Sequence, residues 1–238
     1  MNEENSTQLI KSGNPLVDLT WGGFYKGGTY FVIGPPKSGK TILALQFALN
    51  ASSKADSCLY LTTSKLNHLM ISSSLIDLEL QNYIDQGIIT LSRHAGPKFF
   101  KHTIDGDSNI RDYFTDFKKL IEIYRPARVV VDEFTSLIGY KNLKLISELF
   151  IDIQEYLQKR GVTGLYLIGE REGLECCEVQ SSISKLSNAC ICLSKNSDSV
   201  DRSNPGIMKI IPNFGHDERK YSSKYYIEIH SGVKIISK

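Results

Sequence analysis

No stretch of this chain stays apolar for the roughly 20 residues that a membrane-spanning helix needs, so no span is predicted. Net charge is almost absent. The 28 Lys and Arg residues against 26 Asp and Glu leave +2, too little for a global field that gathers nucleic acid or an anionic membrane. A local basic patch is compatible with that balance. Cysteine is scarce and poorly spaced for cross-linking: Cys58, Cys176, Cys177, Cys190 and Cys192 are odd in number and lack two separated C-x-x-C pairs. A disulfide framework and a structural zinc site are therefore not expected. Reduced, buried thiols follow, and with them a cytoplasmic location. The opening MNEENSTQLIKSG has no apolar h-region, so no signal peptide is expected. His68, His94, His102, His216 and His230 show no metal-ligand spacing.

What is present suits a soluble globular protein: 238 residues, 41% hydrophobic and 23% charged, enough apolar material for a sizeable core without disulfides. The expectation is one domain over residues 1–238, with a polar leader at 1–11 and a β-rich extension at 189–238. Residues 12–28 are Gly-rich and turn-prone. TYFVI at 29–33, CLYL at 58–61, IITL at 88–91, RVVV at 128–131 and LYLI at 165–168 read as buried strands. Helical spacing appears at 41–50, around 66–83, at 113–124 and, most clearly, at 141–160. There Leu145, Leu149, Ile153 and Leu157 recur every four residues and Gly161 takes the C-terminal cap position. Strands alternating with helices predict a mostly parallel sheet flanked by helices. The short strands ACICL, IMKII and YYIEI predict antiparallel C-terminal strands.

Gly34-Pro35-Pro36-Lys37-Ser38-Gly39-Lys40-Thr41 matches the phosphate-loop pattern G-x-x-x-x-G-K-[ST]. Backbone N–H groups of such a turn converge on phosphate oxygens, and a side chain at the glycines would block the approach. The helix that starts at the motif adds the positive end of its dipole, and Ile42 lies in its first turn. In this pattern Lys40 reaches the β- and γ-phosphates of ATP and the Thr41 hydroxyl ligates Mg²⁺. Gly34, Pro36, Lys37, Ser38, Gly39, Lys40, Thr41 and Ile42 are the candidate nucleotide-binding residues. Asp132 ends the run Val129-Val130-Val131, where a second metal-side carboxylate emerges at the C-terminal edge of a sheet. Glu133 follows it and is a candidate for polarising the attacking water, the alternative being a solvated glutamate.

These residues, together with their surroundings, resemble the KaiC family of RecA-like ATPases over nearly the whole chain. Ser12-Gly13-Asn14-Pro15-Leu16-Val17-Asp18-Leu19, Gly22-Gly23 and Lys26-Gly27-Gly28 look like the family's leader before the phosphate-loop strand. RVVVDEFTSL resembles its carboxylate strand and SKLSNACICL a later one. The stretch 206–209, His216-Asp217 and the stretch 226–235 follow its closing strand, "RHD" turn and final strands. The resemblance implies a RecA-like P-loop fold, ATP and Mg²⁺ as ligands, and a homo-oligomeric ring, by analogy a hexamer. A further protein partner is implied without being identified.

The departures bear on activity. In the family a pair of glutamates follows the second strand and activates the hydrolytic water; Thr63 and Ser64 occupy those positions here. A hydroxyl is too weakly acidic to act as a general base at neutral pH. The family also supplies a Lys and an Arg from the neighbouring subunit, but Ile210-Ile211-Pro212-Asn213-Phe214-Gly215 contains no cation. Lys209, Arg219 and Lys220 are close enough in sequence that a register shift restores one. Losing the base removes about two to four orders of magnitude in rate, and losing the cation about three to five. The expectation is an ATP-binding switch or assembly factor with slow or negligible hydrolysis. The alternatives are an active ATPase using Glu133 and a recombinase-like single-strand DNA binder. The latter is suggested by the basic and aromatic run Arg219-Lys220-Tyr221-Ser222-Ser223-Lys224-Tyr225-Tyr226. Trp21 is expected to pack on the sheet edge, and residues 105–109 to form a surface turn.

Overall fold

In the computed structural model, which describes residues 8–51, 53–93, 106–134, 142–169, 184–196, 200–213 and 219–236, the β-branched and aromatic runs form strands. A short ribbon pairs β1 (Leu9–Ile10) with β2 (Phe24–Tyr25). The main sheet contains β3 (Thr29–Gly34), β4 (Cys58–Thr62), β5 (Ile89–Ser92), β6 (Arg128–Asp132), β7 (Thr163–Gly169), β8 (Ala189–Ser194), β9 (Gly206–Pro212), β10 (Tyr221–Glu228) and β11 (Gly232–Ile235). Its order is β11-β10-β9-β8-β3-β7-β6-β4-β5. Neighbours from β8 to β5 are parallel, and β9, β10 and β11 are antiparallel. The fold is thus mixed α/β with a mostly parallel sheet and antiparallel C-terminal strands. One detail differs from expectation. β8 was grouped by its sequence with the antiparallel extension, but it pairs parallel to β3, so the antiparallel part begins at β9.

Six helices are described: α1 (Pro15–Thr20), α2 (Lys40–Leu49), α3 (Leu66–Ser74), α4 (Leu80–Asp85), α5 (Gly106–Tyr124) and α6 (Leu143–Lys159). Alternation along the parallel strands sorts the core into two layers. Tyr30, Val32, Tyr60, Val130, Leu165 and Leu167 face α1 to α4. Phe31, Ile33, Leu59, Val129, Val131, Tyr166 and Ile168 face α5 and α6. Both sides are buried, which is why these strands read as continuous apolar runs. The register puts Tyr60 level with Val130 and Thr62 level with Asp132, so Tyr60 and Asp132 share the α2 side of the sheet.

The leader is more ordered than its glycines suggested. Asn14 caps α1, accepting from Leu16 N and Val17 N, and Pro15 follows at the first helical position. Gly13 has φ +70°, and a Cβ there would stand 2.7 Å from the Gln46 carbonyl of α2. Trp21 packs against the core beside Tyr221, ring centroids 6.4 Å apart. The 66–83 stretch splits into α3 and α4. Residues 106–109, expected as a turn, begin α5; the apolar positions that betray a helix start only at Ile110.

Buried polar contacts tie the layers together. Arg128, at the start of β6, is almost fully buried. It donates to Asp56 at 2.9 and 3.1 Å and to the Lys11 carbonyl at 2.8 Å. Its guanidinium lies 5.1 Å from the Phe47 ring. Removing one side of such a pair strands the other without its partner. Arg128→Ala is therefore expected to lower unfolding free energy by about 3 kcal/mol in urea titrations. Asp56→Asn should cost less, because Asp56 keeps partial solvent access.

Candidate functional site

The chain leaves β3 at the C-terminal edge of the sheet and enters α2 through the 34–40 loop, then returns to the sheet three strands away at β4. Crevices at such edges are where open α/β sheets take ligands. Two glycines shape the loop. Gly39 caps α2 at φ 94°, and a Cβ there would sit 3.0 Å from Ile227 Cδ1. A Cβ on Gly34 would lie 2.8 Å from the Leu193 carbonyl and from Ser38 Oγ. Gly39 has no side chain to cap α2 and no side-chain cap hydrogen bond is made there, so the positive end of the helix faces the loop without a protein side chain on it. Pro36 and Lys37 are exposed, Lys40, Thr41 and Ile42 half-buried, and Ser38 buried. Lys40 Nζ donates to the carbonyls of Gly34 and Pro35, both at 2.8 Å. The ammonium is thereby held across the mouth of the loop.

The C-terminal strands support this loop from beneath. Tyr225 of β10 donates its hydroxyl to the Ser38 carbonyl at 2.7 Å, Ile227 abuts Gly39, and Gln46 of α2 accepts from Val233 N at 3.1 Å. Burial raises the Tyr225 phenol further above its ordinary range, so it remains a donor.

Asp132, at the tip of β6, is 8% exposed. Its Oδ2 accepts from Tyr60 at 2.9 Å and from Thr41 Oγ1 at 3.4 Å. Burial pushes the Asp132 carboxyl above its usual value, and the neighbouring Glu133 charge adds to this. The Tyr60 hydrogen bond, Lys40 and Thr41 act in the opposite direction. The Tyr60 phenol is raised well above its ordinary value by burial and by Asp132, so it stays protonated. The loop and β6 thus bring Lys40, Thr41 and Asp132 together. A hydroxyl beside a carboxylate is a hard, all-oxygen donor set of the kind Mg²⁺ takes. A helix start without a side-chain cap and a loop with glycine at both ends fit phosphate.

The sequence profile of the family described as "ATPase: KaiC" matches residues 10–238. The chain belongs to the KaiC ATPase family. It is 27% identical over 166 residues to the circadian clock protein KaiC2 of Synechocystis, covering 68% of this chain and 28% of that protein. It is 21% identical to the circadian clock oscillator protein KaiC of Prochlorococcus marinus, over 70% of this chain and 32% of that one. The chain therefore spans about a third or less of the length of these relatives. A crystal structure of a KaiC-like protein from Pyrococcus horikoshii superposes with a TM-score of 0.73 over 97% of this chain and all of its own, at 17% identity. That match speaks for the fold.

Within this KaiC-family framework the remaining candidates separate. Glu133 follows Asp132 in a turn and is exposed. Thr63 is exposed just past β4, with its N–H on the Asp132 carbonyl at 3.2 Å, and Ser64 N bonds Thr62 Oγ1. Thr63, Ser64 and Lys65 are the residues leaving β4, and no carboxylate follows until Asp77. Lys209 is exposed on β9 between the buried Met208 and Ile210. It therefore projects from the sheet face opposite α2, away from its own loop. Arg219 and Lys220 are exposed ahead of β10. His216, Asp217, Cys176 and Cys177 lie outside the described residues. Cys58 and Cys190 are buried and Cys192 half-buried; burial pushes the Cys58 thiol up to about 12, so it is no nucleophile at neutral pH. None of the described helices is long and apolar enough to cross a membrane.

Two tyrosines were missed by sequence reasoning. Tyr60 carries a faint signal, since it stands two residues before Thr62 and so on its side of β4. Tyr225 carries none, because its partner is 187 positions away.

The raised pKa of Asp132 sets a testable sign. A carboxyl with a folded value above its unfolded one costs stability when ionised, and the cost disappears as pH falls toward about 3.9. Asp132→Asn should therefore raise the thermal midpoint of the nucleotide-free protein at pH 7. Calorimetry across pH should show that advantage shrinking as the solution is acidified.

Proposed function

We propose that this KaiC-family chain is an ATP-binding switch or assembly factor whose nucleotide occupancy matters more than its turnover. The observation that carries the reading is the pairing of an intact phosphate loop with a β4 exit that offers Thr63, Ser64 and Lys65 in place of acids. In this reading the N–H groups of the 36–41 turn bind the phosphates. Lys40 exchanges the Gly34 and Pro35 carbonyls for phosphate oxygens. Thr41 and Asp132 hold Mg²⁺, which neutralises phosphate charge when bound. Neither hydroxyl beyond β4 can take a proton from water at neutral pH, so bound ATP persists.

The proposed unit is one KaiC-like domain over residues 1–238, acting in a homo-oligomeric ring. Lys209 faces away from its own loop, which supports a role toward another molecule rather than toward its own nucleotide. Exposed apolar side chains support association: Ile71 and Leu75 lie one turn apart, and Ile229 follows from the β10–β11 turn. That turn is fastened to the segment just past α3 by His230 N on the Leu75 carbonyl, at 2.8 Å, and His230 on Asp77, at 2.7 Å. A second reading keeps Glu133 as the base of a working ATPase, since it is solvent-accessible and close enough for its charge to act on Asp132. Single-strand binding is disfavoured, because strand alternation turns Tyr225 into the core and Tyr221 onto Trp21. Only Tyr226 is left on the outer face beside Lys224.

Isothermal calorimetry with ATP and millimolar Mg²⁺ should show binding that Lys40→Ala abolishes. Steady-state turnover should stay well below about one per second, the low end of the ordinary enzyme range. Turnover at or above that rate, lost in Glu133→Gln, would establish the second reading instead.

A further inference from the structure

The Tyr60 hydroxyl is the feature left unused by the reading above. Its ring is fully buried in the α2-side core, and a phenylalanine ring has the same shape without the hydroxyl. A buried hydroxyl is costly unless it is hydrogen-bonded. Among the described residues its partner is Asp132 Oδ2, at 2.9 Å. The geometry follows from the register: Tyr60 lies level with Val130, two residues short of Asp132 and on the same face, so a side chain of tyrosine's length reaches the strand tip. Thr62, level with Asp132, does not serve this role; its Oγ1 accepts from Ser64 N. Asp132 Oδ2 therefore takes both donors, Tyr60 and Thr41, while its Oδ1 has no hydrogen bond among the described residues.

We propose that Tyr60 is a positioning residue for the metal side of the nucleotide site. By occupying Oδ2, it fixes the rotation of the Asp132 carboxylate and leaves Oδ1 and the Thr41 oxygen available to the divalent cation that accompanies ATP. The inference rests on the nucleotide reading above and adds a residue outside the phosphate-loop pattern. Without the phenol only the long Thr41 hydrogen bond, at 3.4 Å, still orients the carboxylate, and metal binding must then supply more of the ordering. A hydrogen bond to a charged group is strong enough for this to be measurable.

The test is calorimetric binding of ATP to the full chain in EDTA and in millimolar Mg²⁺, for wild type, Tyr60→Phe, Asp132→Asn and the double variant. Tyr60→Phe should leave metal-free affinity within about twofold and cut the Mg²⁺-dependent gain by on the order of tenfold. The double variant should behave as Asp132→Asn alone, since Tyr60 acts through that carboxylate. An equal loss with and without metal, or an unchanged Mg²⁺ gain, overturns the proposal. Failure of the wild type itself to bind ATP in either buffer is a different result and removes the nucleotide reading along with it. If Tyr60→Phe does not fold, a crystal structure of the wild type with ATP and Mg²⁺ decides. Tyr60 Oη on Asp132 Oδ2 supports the role, and a hydroxyl swung elsewhere overturns it.

Discussion

Parallel strands buried on both faces have nowhere to place a charged side chain except at their ends, and in this protein that constraint shapes the site. Between their ends β3 and β6 carry no charged side chain, and Asp132 and the loop that follows β3 come together at the C-terminal edge of the sheet. α2 lies over that edge with its uncapped N-terminus beside the tip of β6. Lys40, Thr41 and Asp132 meet because the same alternation that divides the core into two layers directs Asp132 toward α2. The price is a carboxylate with little access to water, and its raised pKa is the electrostatic sign of it.

The C-terminal strands are part of the same arrangement. Antiparallel pairing carries β10 and β11 under the phosphate loop, where Tyr225, Ile227 and Val233 contact Ser38, Gly39 and Gln46. Ordering a loop costs conformational entropy, and contacts from a distant hairpin offset part of that cost. The KaiC resemblance places strands and a phosphate loop; the physical link between them is this hairpin.

Binding and hydrolysis draw on different residues. On the reading proposed above, phosphate recognition depends on backbone geometry and Lys40. Hydrolysis needs in addition a base near the attacking water and a cation opposite it. The exit of β4 carries hydroxyls and a lysine, and Lys209 faces away from its own loop. Membership of an ATPase family is therefore compatible with a chain that holds ATP without turning it over quickly.

Much of the architecture was legible locally. The phosphate loop, Asp132 at the end of a valine run, the helix ending at Gly161 and the strand runs depend on residues a few positions apart, and composition encodes them directly. Local signals also misled. The glycines around Asn14 masked a capped helix, and the start of α5 lies ahead of its apolar stripe. β8 reads like its antiparallel neighbours because period and propensity do not specify which strand lies beside it. Tertiary structure alone decided the pairing of Tyr60 with Asp132 across 72 positions, the reach of Tyr225 to Ser38 across 187, and the face on which Lys209 emerges. Those contacts depend on strand order and register, which are set by how the whole core packs and not by any short segment.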